Sequence, residues 1–403
     1  MSLRRVFWML VVYCLTLLVA SSGARSAGVS GIGEESAYSG LYVRIDPSYR
    51  AQAPEFENAL SKGFVDGAAI MVEWDSIEPE PGVYTFAGLD RWLGKAVVLR
   101  KKVSLGLMAG WFTPSWLYRG KYHVPANRFM YNRNPQGAAL CTTLTLPSPW
   151  NANFIREYNE AIGELSQHLR ELAIPGFPPG AAYDAVRIVK VGGINNTTEE
   201  LRLVSNRGDR GPCHQSDAQA IWAEAGFTPD KVESAWLKLA KNIAARFPGR
   251  VLSIDVIQGN GFPAIDNQGR IYRYSGSPAD PVTAWIIKKG IAQFPGRFAV
   301  QWDALSEAGV DPAVVTAGAE GAIVGWQMNE FLGPKGGSGC MYGTLRAACR
   351  STADFASALE HGIGLGGRFI EIWAANVNRF AAAFRQAHNR LEAASARGAP
   401  GGP

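Results

Sequence analysis

Short apolar runs rich in valine and isoleucine recur along the chain, and they alternate with segments whose apolar residues recur at every third or fourth position. Such short runs predict buried β-strands, whereas the wider spacing predicts amphipathic helices. The predicted strands are residues 41–45, 68–74, 103–109, 185–191, 251–257, 298–302, 322–327 and 368–373. This alternation predicts an α/β protein.

The segments between the strands have one apolar face. The clearest of them places Phe154, Tyr158, Ile162, Leu165, Leu169 and Leu172 on one side of a helix. Another follows the last strand and carries Val377, Phe380, Phe384, Ala387 and Leu391. Because the strands read as continuous apolar runs, we expect them to be buried on both faces in a parallel sheet covered by helices. The eight units predict a (β/α)8 TIM barrel, a single domain over residues 25–393.

An open doubly wound sheet is the alternative architecture, and it would favour a glycine-rich phosphate-binding turn. Gly362, Gly364 and Gly367 match that motif formally. Their turn, however, leaves a predicted helix and enters a strand, whereas a phosphate-binding turn leaves a strand and opens a helix. The sequence therefore disfavours nucleotide binding.

Two long irregular segments are predicted at residues 110–150 and 193–227, after the third and fourth strands. Both emerge at the C-terminal face of the barrel, where barrel enzymes build their active sites. The last residues, 394–403, have the composition of a disordered tail.

The chain begins with Arg4 and Arg5, an apolar run to Ala20, and then small residues, which is the pattern of a secretory signal peptide. We expect residues 1–24 to be removed by cleavage after Ala24, with Ala27 as a second possibility; an uncleaved anchor is the alternative. No later apolar run is long enough to span a membrane. The predicted location is therefore secreted or periplasmic.

Four cysteines lie beyond that segment, and an even number in an exported chain permits two disulfides. Cys340 and Cys349 are close in sequence, so we pair them, which leaves Cys141 with Cys213 and ties the two long loops together. The alternative is that all four are free buried thiols.

The charge and the histidines argue against several classes of function. The net charge of +5 comes without a Lys/Arg run longer than three or a basic stripe interleaved with aromatic residues, so we expect no nucleic-acid partner. The five histidines show no zinc-binding spacing. We predict no metal and no cofactor. The sequence does not indicate the oligomeric state.

Tryptophans are concentrated at the predicted strand ends and loops of the C-terminal face, among them Trp150 and Trp326. Flat aromatic faces beside amide groups suit a sugar, whose C–H faces stack on indoles while its hydroxyls form hydrogen bonds. The predicted substrate-binding residues are Trp74, Trp111, Trp116, Trp302, Trp373, Asn195, Asn196, Gln327 and Asn329. For any single tryptophan, packing inside a loop is the alternative.

Carboxyl groups are found at the same edge. Glu330 follows the seventh strand, and Glu199 and Glu200 follow the fourth. Hydrolysis of a glycosidic bond needs two carboxyl groups, one to protonate the leaving oxygen and one to attack or to activate water. We therefore predict that Glu330 is the nucleophile and that Glu199 or Glu200 is the acid/base; a rim salt bridge is the alternative for Glu330. For Glu371, inside the eighth strand, a structural role is predicted.

The segment VEWDSIEPEPGVYTFAGLD, followed by VSLGLMAGWFTPSWL, resembles strands two and three of clan A glycoside hydrolases, notably the family 42 β-galactosidases. The matching positions are Trp74, Glu78, Pro79, Gly82, Tyr84, Phe86, Leu89, Asp90, Pro114 and Trp116. The resemblance implies a retaining mechanism, with the acid/base after strand four and the nucleophile after strand seven, where Glu330 lies. It also implies a substrate-binding role for Trp373.

Two departures from the family pattern are visible. Glu199 and Glu200 lie four and five positions after Asn195, where the family has Asn followed directly by Glu, and the arginine of strand two is absent. The prediction is a secreted retaining glycosidase acting on a β-linked sugar in an oligosaccharide or glycoside. The alternative is a catalytically inactive carbohydrate-binding barrel.

Overall fold

The computed structural model of this 403-residue chain describes residues 37–45, 53–131, 141–205, 213–214, 216–256, 261–273, 280–305, 310–328 and 352–397. Several sequence predictions lie outside the described residues: the signal peptide, Asn329, Glu330, the Cys340–Cys349 pair, and residues 398–403.

Eight parallel strands form a closed barrel, as predicted. They are β1 (Gly40–Ile45), β2 (Gly67–Glu73), β3 (Lys102–Met108), β6 (Val186–Lys190), β7 (Val251–Val256), β8 (Phe298–Trp302), β9 (Ile323–Gln327) and β10 (Gly367–Trp373). The ring closes where β1 pairs with β10, with Gly40 opposite Phe369 and Arg44 opposite Trp373. The fourth strand of the ring is therefore β6, the sixth is β8 and the seventh is β9.

Helices lie between the strands, as the apolar spacing predicts. They are α1 (Ala53–Leu60), α2 (Trp74–Ile77), α3 (Ala87–Val98), α4 (Ala152–Glu171), α5 (Ala181–Ala185), α6 (Ala218–Glu224), α7 (Pro229–Arg246), α8 (Pro281–Gln293), α9 (Pro312–Ala319), α10 (Thr352–Gly364), α11 (Ala374–Arg379) and α12 (Ala381–Arg397). The side chains of Thr228, Asp280 and Asp311 cap α7, α8 and α9, and each cap precedes a proline at the start of its helix.

The last helix ends at Arg397, beyond the boundary at residue 393 that the sequence predicts for the barrel. Leu391, on the predicted apolar face of this helix, is buried. Among the described residues, no helix is long and apolar enough to cross a membrane.

The segment after β3 is more ordered than the sequence analysis predicts. It contains the 3₁₀ turns Gly110–Phe112 and Ser115–Tyr118 and an antiparallel hairpin, β4 (Ala126–Tyr131) with β5 (Thr142–Pro147). Thr and Leu alternate in TTLTLP, and both leucines are buried, so the period of two that marks a half-buried strand was present in the sequence. Strand β5 begins directly after Cys141, which forms the predicted disulfide with Cys213.

The interior of the barrel has an apolar floor and a polar upper part. The floor includes Tyr42, Ile188, Val251, Ala299 and Phe369. Farther along the same strands, toward their C-terminal ends, the inward positions carry charged and amide side chains, which build the candidate site.

Candidate functional site

Lys190 stands inside the barrel on β6 and joins three strands. Its ammonium nitrogen lies 2.7 Å from Asp255 Oδ2, 3.0 Å from Glu371 Oε2 and 3.2 Å from Gln301 Oε1. All four side chains are buried. Glu371 also accepts hydrogen bonds from Ser104 Oγ at 2.9 Å and from Gln301 Nε2 at 3.1 Å. The structural role predicted for Glu371 agrees with this position.

The two carboxyl groups on Lys190 respond differently to their surroundings. Burial opposes ionisation of Glu371, but Lys190 and Arg44 outweigh it, so the pKa of Glu371 lies below its usual value. Burial dominates at Asp255 and raises its pKa to about 6, although Lys190 acts in the opposite direction. Lys190 therefore offsets the cost of ionising the buried Glu371 more completely than the cost of ionising the buried Asp255.

Arg44, on β1, holds one of the two predicted acids after β6. Its guanidinium donates two hydrogen bonds to the Glu199 carboxylate, one of them at 2.6 Å between Nη2 and Oε2, and a third to Gln327 Oε1 at 2.8 Å. It also lies over the ring of Trp373, with 4.9 Å from Cζ to the ring centroid. Such a bidentate pair fixes the Glu199 carboxylate in one orientation.

Glu200 meets an acid that the sequence analysis did not single out. Asp303, directly after β8, forms a hydrogen bond with the Glu200 side chain, and 1% of Asp303 and 7% of Glu200 are exposed. Glu200 also accepts a hydrogen bond from Thr198 Oγ1 and lies 3.4 Å from Arg202 Nη2. Two carboxyl groups from segments that follow different strands are therefore in hydrogen-bond contact in the mouth of the barrel.

These two acids do not ionise together. Burial and the adjacent Glu200 carboxylate raise the pKa of Asp303 well above its ordinary value. Burial also opposes ionisation of Glu200, but Arg202, the hydrogen bond from Asp303 and Arg44 lower the pKa of Glu200 below its usual range. The pair thus retains one proton, held on Asp303 and donated toward Glu200.

Together these charged side chains form a group that we call the mouth cluster: Arg44, Lys190, Glu199, Glu200, Arg202, Asp255, Asp303 and Glu371. It has five carboxyl groups and three cations, so full ionisation would leave a net charge of −2 in a nearly dry place. That excess of acid, together with burial, is the physical reason why the pKa values of Asp255 and Asp303 are raised.

The sequence analysis missed several members of the mouth cluster, yet a signal was present. Arg44 and Asp255 are the single charged residues of their predicted strands, and Lys190 lies in a third predicted strand beside Arg187; the other residues of these strands are mostly apolar. A charge inside a strand that is buried on both faces has to be paired, because an isolated buried charge is very costly. Asp303 gave a weaker signal, since it only follows its strand.

Asn195 and Asn196, predicted to bind substrate, are buried, and their side chains form hydrogen bonds within the protein. Asn195 accepts a hydrogen bond from the backbone N–H of Ala109 at 3.2 Å and donates to the Thr198 carbonyl at 2.8 Å. The side-chain oxygen of Asn196 accepts from its neighbour Thr197. These contacts brace the loop that carries the two acids, and the predicted contact of both asparagines with substrate stays a prediction.

Two of the predicted sugar-stacking tryptophans are also buried. Trp74 is 0% exposed and packs against Phe154 and Tyr158, and its indole N–H donates to Glu78 Oε2 at 2.7 Å. Trp302 is 5% exposed. Neither offers a free ring face to a substrate, because each ring belongs to the layer between strands and helices.

The motif behind the family resemblance has a structural function in this chain. Glu78 accepts from Trp74 on one oxygen and from the backbone N–H of Gly82 on the other, at 3.0 Å. Gly82 has a φ of +71°, a conformation that favours glycine. Trp116 donates its indole N–H to the Glu78 carbonyl at 3.1 Å. The motif therefore fastens the loop after β2.

The remaining predicted binding residues are more accessible or lie close to the mouth cluster. Trp111, Trp116 and Trp373 are half-buried. Gln327 is buried, and its side-chain oxygen accepts from both Arg44 and Gln301. The backbone N–H of Trp111 donates to the Asn196 carbonyl at 2.6 Å, which places Trp111 directly beside the loop of Glu199 and Glu200.

A cleft of about 720 Å³ opens next to Trp111. One wall comes from the segment around α2 and the turn Ser115–Tyr118, and the opposite wall comes from the β4–β5 hairpin. The described residues contain no group of His, Cys, Asp and Glu side chains arranged to hold a metal ion.

Comparison with known proteins supports the fold and gives no family. No family model matches the chain, and no curated protein matches it. Among solved structures, the catalytic domain of a β-amylase from Paenibacillus polymyxa is similar, with 11% identity, a TM-score of 0.56, and coverage of 86% of this chain and 97% of that chain. A Thermoanaerobacterium saccharolyticum xylanase bound to xylotriose has 13% identity, a TM-score of 0.46, and coverage of 86% and 90%. The β-amylase likeness confirms the TIM-barrel fold.

Proposed function

We propose that this protein is a glycoside hydrolase whose reaction takes place at the C-terminal mouth of the barrel. The hydrogen-bonded pair of Glu200 and Asp303 is the observation that carries the proposal. Glycoside hydrolysis needs a carboxyl group that holds a proton at the working pH, and the raised pKa of Asp303 favours this. The β-amylase with the similar barrel is a glycosidase by its name, which agrees with the proposal.

We assign different roles to the two acids that follow β6. Glu199 is tied to Arg44 through both of its oxygens, so it serves to position Arg44 and Gln327. Glu200 shares a proton with Asp303, and we assign Glu200 as the acid/base. Glu330, which follows the seventh strand of the ring, is the proposed nucleophile; this assignment comes from the sequence.

In the proposed retaining reaction, the Glu200–Asp303 pair gives its proton to the glycosidic oxygen while the bond from that oxygen to C1 breaks. A carboxylate oxygen of Glu330 forms a bond to C1 in the same step. In the second step a water molecule gives its proton to the pair, its oxygen bonds to C1, and the bond between Glu330 and C1 breaks. The pair ends with one proton, as it began.

The proposed substrate is a β-linked sugar in an oligosaccharide or glycoside. Trp111 and Trp373 are the tryptophans best placed to contact it, since both are half-buried beside the mouth cluster. Gln327 and Asn329 complete the proposed contacts at the end of β9.

The proposed export of the protein has its own test. The Cys141–Cys213 disulfide agrees with an oxidising compartment. We expect N-terminal sequencing of the exported protein to begin at Arg25 or Gly28, and non-reducing peptide mapping to find the Cys340–Cys349 bond as well. An intact leader or free thiols at Cys340 and Cys349 would contradict these two assignments.

A carbohydrate-binding barrel that cleaves nothing is the second candidate. It is favoured by the fact that both acids after β6 already have cationic partners, Arg44 for Glu199 and Arg202 for Glu200. A permanently paired carboxylate cannot deliver a proton.

Hydrolysis of aryl β-glycosides by the wild type and by Glu200→Gln and Glu330→Gln separates the two candidates. We expect turnover by the wild type and a loss of about 10²-fold or more in each variant, because general acid catalysis alone contributes roughly that much. Glu164→Gln, on the exposed face of α4, is the control and should keep full activity. Tight binding of oligosaccharide without turnover at any pH from 4 to 9 would favour the binding barrel and overturn the enzyme.

A further inference from the structure

The cleft beside Trp111 lies outside the ring of strands, on the segment inserted after β3. Arg119 follows the turn Ser115–Tyr118 on one wall, and Arg128 lies on β4 in the other, opposite Thr145 of β5. Both arginines are exposed, so their guanidinium groups are available to a ligand. The hairpin thus sets a second cation across the cleft from the first.

The remaining lining suits a sugar. Trp111 and Tyr118 provide aromatic rings, and Thr145 provides a hydroxyl group. A volume of about 720 Å³ is within the range of small-ligand sites. Aromatic faces with hydroxyl groups bind sugar rings, whereas paired arginines bind carboxylates through parallel N–H donors.

One acid moderates the positive charge of the cleft. Asp75 lies in the wall formed by α2; the residue is exposed, and partial desolvation of its carboxyl group by its neighbours raises its pKa to about 6. Tyr118 has a raised pKa because of burial and stays neutral. With Arg119 and Arg128 as the two cations, the cleft carries a net positive charge at neutral pH, and a larger one at pH 5.

The cleft adjoins the loop that carries the two acids of the proposed catalytic mouth. Trp111 lines the cleft, and its backbone N–H donates to the Asn196 carbonyl in the loop that carries Glu199 and Glu200. Trp111 is therefore the residue that links the lining of the cleft to the surroundings of the mouth.

We propose that this cleft binds a uronate unit, a sugar carrying a carboxylate, of an oligosaccharide whose neighbouring unit lies in the barrel mouth. The inference rests on the proposed glycosidase and extends it to a class of substrate, the acidic oligosaccharides. The uronate carboxylate takes bidentate hydrogen bonds from Arg119 or Arg128, and its ring packs against Trp111 or Tyr118.

Binding should depend on pH through Asp75. A sugar carboxylate stays ionised above a pH of about 4. Below pH 6 Asp75 is protonated and leaves the two arginines unopposed, whereas above pH 6 its negative charge repels the ligand. Affinity should therefore be higher at pH 5 than at pH 7.5, and Asp75→Asn should hold the higher affinity across that range.

Calorimetric titration of the Glu200→Gln protein with β-1,4-linked triglucuronate and with cellotriose tests the cleft. The two probes share a backbone and differ in their carboxylates. We expect triglucuronate to bind at least about tenfold more tightly at pH 5, and the Arg119→Gln/Arg128→Gln double variant to lose that preference. Lys238→Gln, an exposed charge on α7, should keep it.

Equal affinity for the two probes, no binding of either, or an unchanged preference in the double variant would overturn the uronate site. The hydrolysis of neutral aryl glycosides, measured separately, reports on the catalytic proposal alone. Hydrolysis of aryl glycosides without a binding preference for triglucuronate would contradict only the uronate site. A binding preference for triglucuronate without hydrolysis would contradict only the proposed glycosidase. Should the double variant unfold, Asp75→Asn with its flattened pH profile remains as an independent test.

Discussion

Asp303 donates a hydrogen bond to Glu200 across the mouth of the barrel, although the two residues follow different strands. Two carboxyl groups in hydrogen-bond contact cannot both be ionised without a large repulsion, so the pair behaves as one titrating unit with one proton. Arg202 and Arg44 bias the negative charge toward Glu200. The proton therefore rests on Asp303 and is available at the site of reaction.

Asp303→Asn tests this arrangement directly. Asparagine keeps a donor for Glu200 but has no acidic proton, so we expect kcat to fall by about 10²-fold, the usual contribution of a general acid. Substrates with poor leaving groups should suffer most, because they need the proton most. The alkaline limb of the pH profile should move to lower pH. Measuring kcat against leaving-group pKa would show this.

Asp184→Asn provides the control for that experiment, since Asp184 is exposed and pairs with Arg250 away from the mouth. An equal loss for good and poor leaving groups in Asp303→Asn would mean that Asp303 does not supply the proton.

Arg44→Met should leave Glu199 charged and buried without a partner. Loss of one member of a buried pair costs about 3 to 5 kcal/mol, and we expect the free energy of unfolding in urea to fall by that amount. The double variant Arg44→Met/Glu199→Gln should recover most of it. Arg91→Met is a matched control, because Arg91 is an exposed partner of Glu57 and its loss should cost about 1 kcal/mol or less. A double variant no more stable than Arg44→Met would contradict the pairing.

The contribution of Asp255 to the free energy of unfolding should fall as the pH rises. Its folded pKa of about 6 lies above the value of about 3.9 expected in the unfolded chain, so the folded state binds the proton more tightly. Its contribution is fully present below pH 4 and is lost as the pH rises through 6. Asp255→Asn mimics the protonated form and should therefore gain stability relative to the wild type between pH 4.5 and 7.5.

Urea unfolding at those two pH values checks this prediction through the difference between wild type and variant. The lowered pKa values of Glu371 and Glu200 act in the opposite direction, but the stability that they contribute is lost only as the pH falls below about 4.3, the usual pKa of a glutamate, which lies outside this window. A difference that stays constant with pH would show that Asp255 does not change its ionisation on folding in this window.

The hydrophobic pattern was sufficient to predict the barrel, because strands buried on both faces leave short apolar runs that are hard to confuse with other elements. It was not sufficient for the site. Trp74 ends a predicted strand and Asn195 follows one, as the accessible candidates do, and only packing shows that Trp74 faces the helices and that Asn195 braces a loop. The partner of Glu200 was equally hidden, since the sequence does not show that β6 and β8 lie on either side of β7 or how the segments after them run.

The loop that carries both acids depends on a glycine, which gives the last prediction. Gly110 has a φ of +51°, and a Cβ at this position would lie 2.2 Å from the Asn196 carbonyl oxygen and 2.3 Å from that of Asn195. Gly110→Ala should therefore push away the segment that holds Glu200. We expect kcat on aryl glycosides to fall at least tenfold, without the leaving-group dependence of Asp303→Asn, because geometry and not proton supply is lost. Gly120→Ala, with a φ of +56° but open space around its Cβ, isolates backbone strain from the clash. Equal activity in the two alanine variants would show that the contact of Gly110 with the Asn195–Asn196 backbone does not position the acids.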